Sequence, residues 1–585
     1  MQIPGRSYSF IRHGFLLLIL ALYLPNVLQI TPVQAADGGF SWAKAMGGAS
    51  SGGGEDIFVD TSGNVYTTGT FEGSADFDPG PGTFYLSSLS IRDIFISKLD
   101  SSGNFLWAKA IGGYIDYPSR NPSISVDPSG NIYVTSVFGG TVDFDPGAGR
   151  FYLTSAGYSD IFILKLNNSG NFVWARSMGG AEYDSASGIS ANTSGNVYTT
   201  GNFFGTVDFD PGPGTFNLTS SANEYDMFIS KLDSDGNFVW AKATSPGSSD
   251  ICLDASGNVY TTGCFNGTVD FDAGADTFFL TSAGGGDIFI SKLDSNGDFI
   301  WAKALGGATN DCGYDITVDT SGNVYTSGIF QESEAFVPGA WTNLGIHWDI
   351  FVSKLDNAGN VVWFKVVSGM GSTDLYPGGI SVDTSGNVYT TGFFANTFDF
   401  DPGDGTFHLT SAGESDMYIS KLDSSGNFVW AKAIGGPLSD GASGITIDSS
   451  GNIYATGAFT GTVDFDPGPG TFNLTSAGGY GDIFVLSLNQ RSTLTVSLPG
   501  NGLGSVASSP AGINCGSDCS ETYNYGTPVT LTATASPDSI FSGWSGACSG
   551  SGSCTIQMDR HQSVSAYFAK PVMPPIYKLL LDREP

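Results

Sequence analysis

Seven copies of one order of phrases run through this chain, and the first copy begins partway through it. Each copy opens on a tryptophan with a basic residue two positions later, at Trp42, Trp107, Trp174, Trp240, Trp301, Trp363 and Trp430. Segments such as GNVYTTG from Gly63, DFDPGPGTF from Asp76 and DIFISKLDSSGNF from Asp93 follow in fixed order. The last copy stops at DIFVLSLN, Asp482 to Asn489, with no tryptophan phrase after it, whereas the first tryptophan phrase has no DIFISKLD before it. A piece missing at one end matches a spare piece at the other. Such a circular offset is what a ring of repeats closed by its own two ends requires.

Each copy contains four strand-like segments rich in β-branched and aromatic residues: the SISVD type (Ser123 to Asp127), NVYTTG, DIFISKL and NFVWAKA. The turns between the first and second (DTSGN from Asp60) and between the third and fourth (DSSGN from Asp100) are short. In both, Asp can cap its own turn and Gly supplies a positive φ. The other two connections are longer or variable, and in an up-and-down blade they share one face, where binding is expected. The fold predicted for residues 36–490 is therefore all-β, a seven-bladed β-propeller. The strand around Phe40 to Ala45 is expected to close it by pairing with Asp482 to Leu488, which removes the last free edges.

Residues 1–35 carry Arg6 and Arg12, an apolar run from Phe15 and Val33-Gln34-Ala35 ahead of Ala36, the pattern of a signal peptide cleaved after Ala35. The mature protein is expected to be exported, with no transmembrane segment, to the medium or the cell surface. Signal removal leaves 21 basic and 56 acidic residues, a net charge of −35, and all but one unit of it falls on the ring. Such a field repels nucleic acid and favours cations or basic partners. Four of the seven cysteines, Cys515, Cys519, Cys548 and Cys554, lie close together near the C-terminus and read as two disulfides. The local pairs Cys515 with Cys519 and Cys548 with Cys554 are favoured, although four cysteines allow three connectivities. Cys252, Cys264 and Cys312 are an odd set within the ring.

The combination NVYTTG, DIFISKLDSSGNF and WAKAxGG resembles the bacterial SBBP-type β-propeller repeat over residues 37–490. The KLDSSGNFVW stretch is also similar to the tryptophan-docking motif of quinoprotein propellers, which here implies indole packing between blades rather than a bound quinone. Residues 491–569, with FSGWSG and the four cysteines, resemble the divergent internalin-B-type repeat, a small all-β module whose family role is a spacer or adhesive unit. Residues 570–585 read as a disordered, proline-containing tail.

The candidate site residues are the DFD pairs: Asp76 and Asp78, Asp143 and Asp145, Asp208 and Asp210, Asp270 and Asp272, Asp399 and Asp401, Asp464 and Asp466. In an extended segment, positions i and i+2 point the same way, so each pair would converge on one outward spot and supply part of a calcium shell. The competing reading is a turn in which Asp caps amides and Phe anchors the loop. Copy five breaks the pattern with EAFVPG from Glu334, and with Phe336, Trp341, His347 and Trp348. The lysines at Lys98 and its counterparts are expected to pair with nearby aspartates and fix blade register.

Catalytic constellations are sparse. Only His347, His408 and His561 follow the signal segment, in unrelated phrases, and the GxSxG match at Gly48 to Gly52 lacks a helix after it. The expectation is a monomeric, non-enzymatic scaffold for an extracellular protein or glycan, with no cofactor unless calcium. The alternative is a polysaccharide-acting glycosidase or lyase with two carboxylates across the central channel. In that case unique polar residues should break the repeat symmetry inside the channel.

Overall fold

The repeat phrases become strands wherever β-branched and aromatic residues run between Asp-Ser-Gly-Asn turns. The computed structural model describes residues 38–112, 122–221, 224–331, 348–369, 375–478, 481–524, 527–558 and 562–571, and it is all-β, with no helix among them. Phe336, Trp341, His347, His561 and the signal segment lie outside the described residues.

Seven antiparallel sheets share one plan, with strands a to d in chain order in six of them and strand d supplied from the N-terminal side in the seventh. Blade one has a at Gly52–Val59, b at Val65–Phe71, c at Asp93–Leu99 and d at Phe105–Ile111. The inner strands a of successive blades lie side by side, Gly52–Val59, Ser123–Val126, Ser185–Ala191, Gly247–Leu253, Cys312–Val318, Leu375–Val382 and Gly441–Ile447, and the last also meets the first. The strand Gly39–Gly48 pairs antiparallel with Asp482–Asn489, from Phe40 opposite Leu488 to Met46 opposite Ile483, and so is strand d of the sheet that starts at Gly441.

Strands b and c are covered on both faces because each sheet stacks on the next; all seven residues of Asp93–Leu99 are buried. In VYTTG the glycine is required by close approach: a Cβ on Gly69 would sit 2.1 Å from the Gly53 carbonyl oxygen. The stacks are joined at the tight-turn face by the tryptophans. Trp42, Trp107, Trp174, Trp240, Trp301 and Trp363 each donate the indole N–H to a carbonyl oxygen of the next blade's c–d turn (Ser101, Asn168, Ser234, Ser295, Asn357, Ser424) at 3.1–3.4 Å. Trp430 lies against Gly38 as the other six lie against the turn glycine of the next blade, and Ala36, the position corresponding to Ser101, is outside the described residues.

The long b–c connection is more than a linker. It holds a hairpin of two three-residue strands, such as Ser74–Asp76 with Tyr85–Ser87. In blades one, three and six this hairpin also pairs with the end of the preceding blade's strand d, placing Asp76 opposite Gly47, Asp208 opposite Gly179 and Asp399 opposite Ser368.

Beyond Gln490 the chain forms two four-stranded sheets from Arg491–Ser497 to Gln562–Ala569, with one parallel pair between those two strands. Leu494, Val506, Leu531, Trp544 and Phe568 fill the space between them. Disulfides join Cys515 to Cys519 and Cys548 to Cys554.

Candidate functional site

The DFD motif departs from extended geometry at its first residue. Strand Ser74–Asp76 ends there, and Asp76 Oδ1 turns back to accept the N–H groups of Asp78 (3.1 Å) and Phe84 (2.7 Å), while Asp78 Oδ1 accepts that of Gly80 (2.8 Å). The same bonds recur at Asp143 and Asp145, Asp208 and Asp210, Asp270 and Asp272, Asp399 and Asp401, and Asp464 and Asp466. The i, i+2 convergence expected of a strand is thus replaced by two successive turn caps, because the chain bends into the turn that follows, Pro-Gly in five copies and Ala273-Gly274 in the fourth. The central Phe77 is fully buried and meets Phe71 edge to face at 5.2 Å, as its counterparts do. Among the described residues no group of three or more His, Cys, Asp or Glu is arranged to hold a metal ion.

The strand-c lysines also differ from expectation. Lys165, Lys231 and Lys354 donate to carbonyl oxygens of the next blade's turn, those of Ser234 (2.8 Å), Ser295 (2.8 Å) and Ser424 (3.2 Å). Lys98 and Lys292 donate to the side-chain oxygens of Asn168 and Asn357. Each ammonium also lies over the ring of a buried strand-b tyrosine. The aspartate acts at longer range: burial pulls the Lys98 pKa down, and the field of Asp60 pushes it back up. The carboxylate itself is occupied, since Asp60 takes Asn64 and the Tyr66 hydroxyl. Register between blades is therefore set by lysine on amide oxygens rather than by ion pairs.

The central channel contains a constellation that the repeat comparison passed over. Just before the central isoleucine of each strand a stands Asp56, Ser123, Gly188, Asp250, Asp315, Gly379 or Gly444 in blades one to seven. The three aspartates reach to the next blade. Asp56 Oδ2 accepts the Ile124 N–H (2.8 Å) and the Ser123 hydroxyl (2.9 Å), Asp250 Oδ2 accepts the Ile316 N–H (3.3 Å), and Asp315 Oδ2 accepts the Ile380 N–H (2.6 Å). Loss of hydration in the narrow channel raises the Asp56 pKa to about 6 and that of Glu55 to about 7, the latter against the lowering field of Arg92. Asp250 is raised by the same burial and by the facing Asp315 carboxyl, which is itself raised by burial. Tyr314 and Tyr376, both exposed, stand at the end of the channel that opens on the long-loop face, where Tyr376 stacks on Phe393 at 4.9 Å. Aligning the copies on EDIF, SDIC and YDIT against SGIS, GGIS and SGIT would have exposed this break in symmetry.

The odd cysteines of the ring also resolve. Cys264 on strand b of blade four is bonded to Cys312 on strand a of blade five, and Cys252 is a free thiol on the channel strand of blade four, its pKa raised by burial.

Strand plan and blade contacts define a β-propeller, a class whose members range from catalysts to scaffolds. Residues 362–392 and 429–458 match the SBBP β-propeller repeat, and residues 495–571 match the divergent InlB B-repeat domain. The chain is 23% identical over 448 residues to an uncharacterized WD repeat-containing protein, L264, of Acanthamoeba polyphaga mimivirus, covering 62% of this chain and 32% of that protein. It is also 23% identical over 443 residues to the regulatory protein FlaEY of Caulobacter vibrioides, covering 69% and 43%. It thus spans less than half the length of either relative. Among solved structures, the Neurospora crassa Pan2 WD40 domain aligns over 74% of this chain and 89% of its own, at 10% identity and a TM-score of 0.37.

Proposed function

We propose that this protein is an exported, non-enzymatic scaffold that holds an extracellular glycan on its long-loop face. The observation that carries this reading is the set of partly exposed aromatic rings on that face. Tyr158 and Tyr183 stack at 4.8 Å and 11° with 63% and 39% of their surfaces exposed, and Tyr376 and Tyr314 stand at the channel mouth. Planar rings on a polar rim suit the apolar faces of sugars. The three disulfides fit an oxidising compartment. The test is a glycan array followed by calorimetry: Tyr183→Ala and Tyr376→Ala should each weaken binding at least several-fold with unchanged melting temperature. Binding indifferent to both changes overturns the assignment.

The enzyme reading has in its favour the break in repeat symmetry that Asp56, Asp250 and Asp315 make in the channel, together with the raised carboxyl pKa values of Glu55 and Asp56. Against it, Asp56, Asp250 and Asp315 are committed to amides of neighbouring blades, which positions them as staples. Incubation with a panel of polysaccharides should release no reducing ends or unsaturated products.

A further inference from the structure

Six blades fill the same niche with their own lysine, and the seventh does not. In blades one to six the ammonium lies 4.7–5.3 Å from the centroid of the Tyr66, Tyr133, Tyr198, Tyr260, Tyr325 or Tyr389 ring. It also donates to an oxygen of the next blade, and at Lys421 that oxygen is Gln490 Oε1. Blade seven carries Ser487 at this position.

The rest of the niche is intact there. Tyr454 is buried and gives its hydroxyl to Asp448 Oδ2 at 3.2 Å. Across the interface the Ser101 carbonyl oxygen, the counterpart of those that take Lys165 and Lys231, accepts the Trp42 indole at 3.2 Å, and a carbonyl oxygen has two lone pairs. Around the vacant lysine position runs a groove of about 270 Å³, lined by Ser101, Tyr454, Ser487, Asn489 and the Asp60 and Asp448 turns; the equivalent groove between blades three and four, about 490 Å³, is open with Lys231 in place.

We propose that this niche between blades seven and one binds a primary ammonium group on an unbranched alkyl chain, taking the place of the missing lysine. The same ring face and carbonyl oxygen would receive it, and the two aspartates and the strongly acidic ring supply the field that concentrates cations. A lysine side chain of a partner protein and a free diamine share this chemistry.

The experiment is calorimetry on the full chain with n-butylammonium at constant ionic strength. One saturable site is expected. Tetramethylammonium, which cannot donate a hydrogen bond, should bind about tenfold more weakly, the equivalent of one charge-assisted bond. Ser487→Lys should abolish the site and raise the melting temperature, and Ser487→Leu should abolish it without supplying a charge. Comparing N-acetyl-lysine amide with 1,5-diaminopentane separates a peptide source from a free diamine. No butylammonium binding in the millimolar range overturns the proposal. So does equal affinity in wild type and Ser487→Lys, or equal competition by sodium or calcium.

Discussion

The ammonium of Lys165 in blade two donates to the Ser234 carbonyl oxygen in blade three, 2.8 Å away, while lying 5.1 Å from the centroid of the Tyr133 ring. That oxygen also receives the Trp174 indole N–H at 3.2 Å, so one turn carbonyl secures two side chains of the preceding blade. Lys165→Met keeps the stem and removes the charge. It should cost about 2 kcal/mol in denaturant unfolding, the range for a hydrogen bond to a charged group in a partly buried site. A change indistinguishable from zero would return the stacking energy to the apolar contacts alone.

Stability should peak in mildly acidic solution. Burial raises the pKa of Asp184 to about 7 and those of Asp160, Asp440 and Asp56 to about 6. A carboxyl raised in the folded state binds its proton more tightly folded than unfolded, so stability falls as pH rises from the unfolded value through the folded one. The turn aspartates Asp60, Asp254 and Asp319 are shifted the other way, since burial is outweighed by their Asn, Tyr and amide partners, and their contribution is lost as pH falls below the ordinary carboxylate range. The melting temperature measured from about pH 8 to about pH 3 should rise and then fall, with its maximum near pH 5. A monotonic rise toward pH 8 would contradict these shifts.

Removing Ala36 to Gly48 deletes the strand opposite Asp482–Asn489 and the Gly38 contact of Trp430. The last sheet would then expose an unpaired edge, lowering the melting temperature and promoting aggregation visible by light scattering. An unaltered melting curve would show that the pairing contributes nothing to closure.

The Cys264–Cys312 bond spans 48 residues and joins two blades. Replacing both cysteines with serine should cost about 2–4 kcal/mol by the chain-entropy model. Non-reduced peptide mapping should recover this crosslink with the two local C-terminal ones, and alkylation should label Cys252 alone.

Asp208 Oδ1 accepts the Asp210 and Phe216 amides, so Asp208→Ala should destabilise the chain by about 1–3 kcal/mol through stranded N–H groups. If the turn cap is the whole role, that loss is the same with millimolar calcium or with chelator. A calcium-dependent melting temperature in wild type that Asp208→Ala removes would establish the metal reading.

The strands and tight turns were readable because their causes are local: β-branched alternation, a glycine at positive φ, and an aspartate capping amides two and four residues on. Repetition amplified those signals sevenfold, and the offset of Trp42 from Asp482 pointed to the pairing of the two ends. What Lys165 touches could not be read, because Ser234 lies on the next blade and only stacking brings them together. The same holds for the pairing of the DFD hairpins with Gly47 or Gly179, which depends on how far the preceding blade's last strand extends. Asp56, Asp250 and Asp315 are ordinary residues in a line of text. They become a constellation only when the inner strands of blades one, four and five face one channel, and that convergence is a property of the ring rather than of any single repeat.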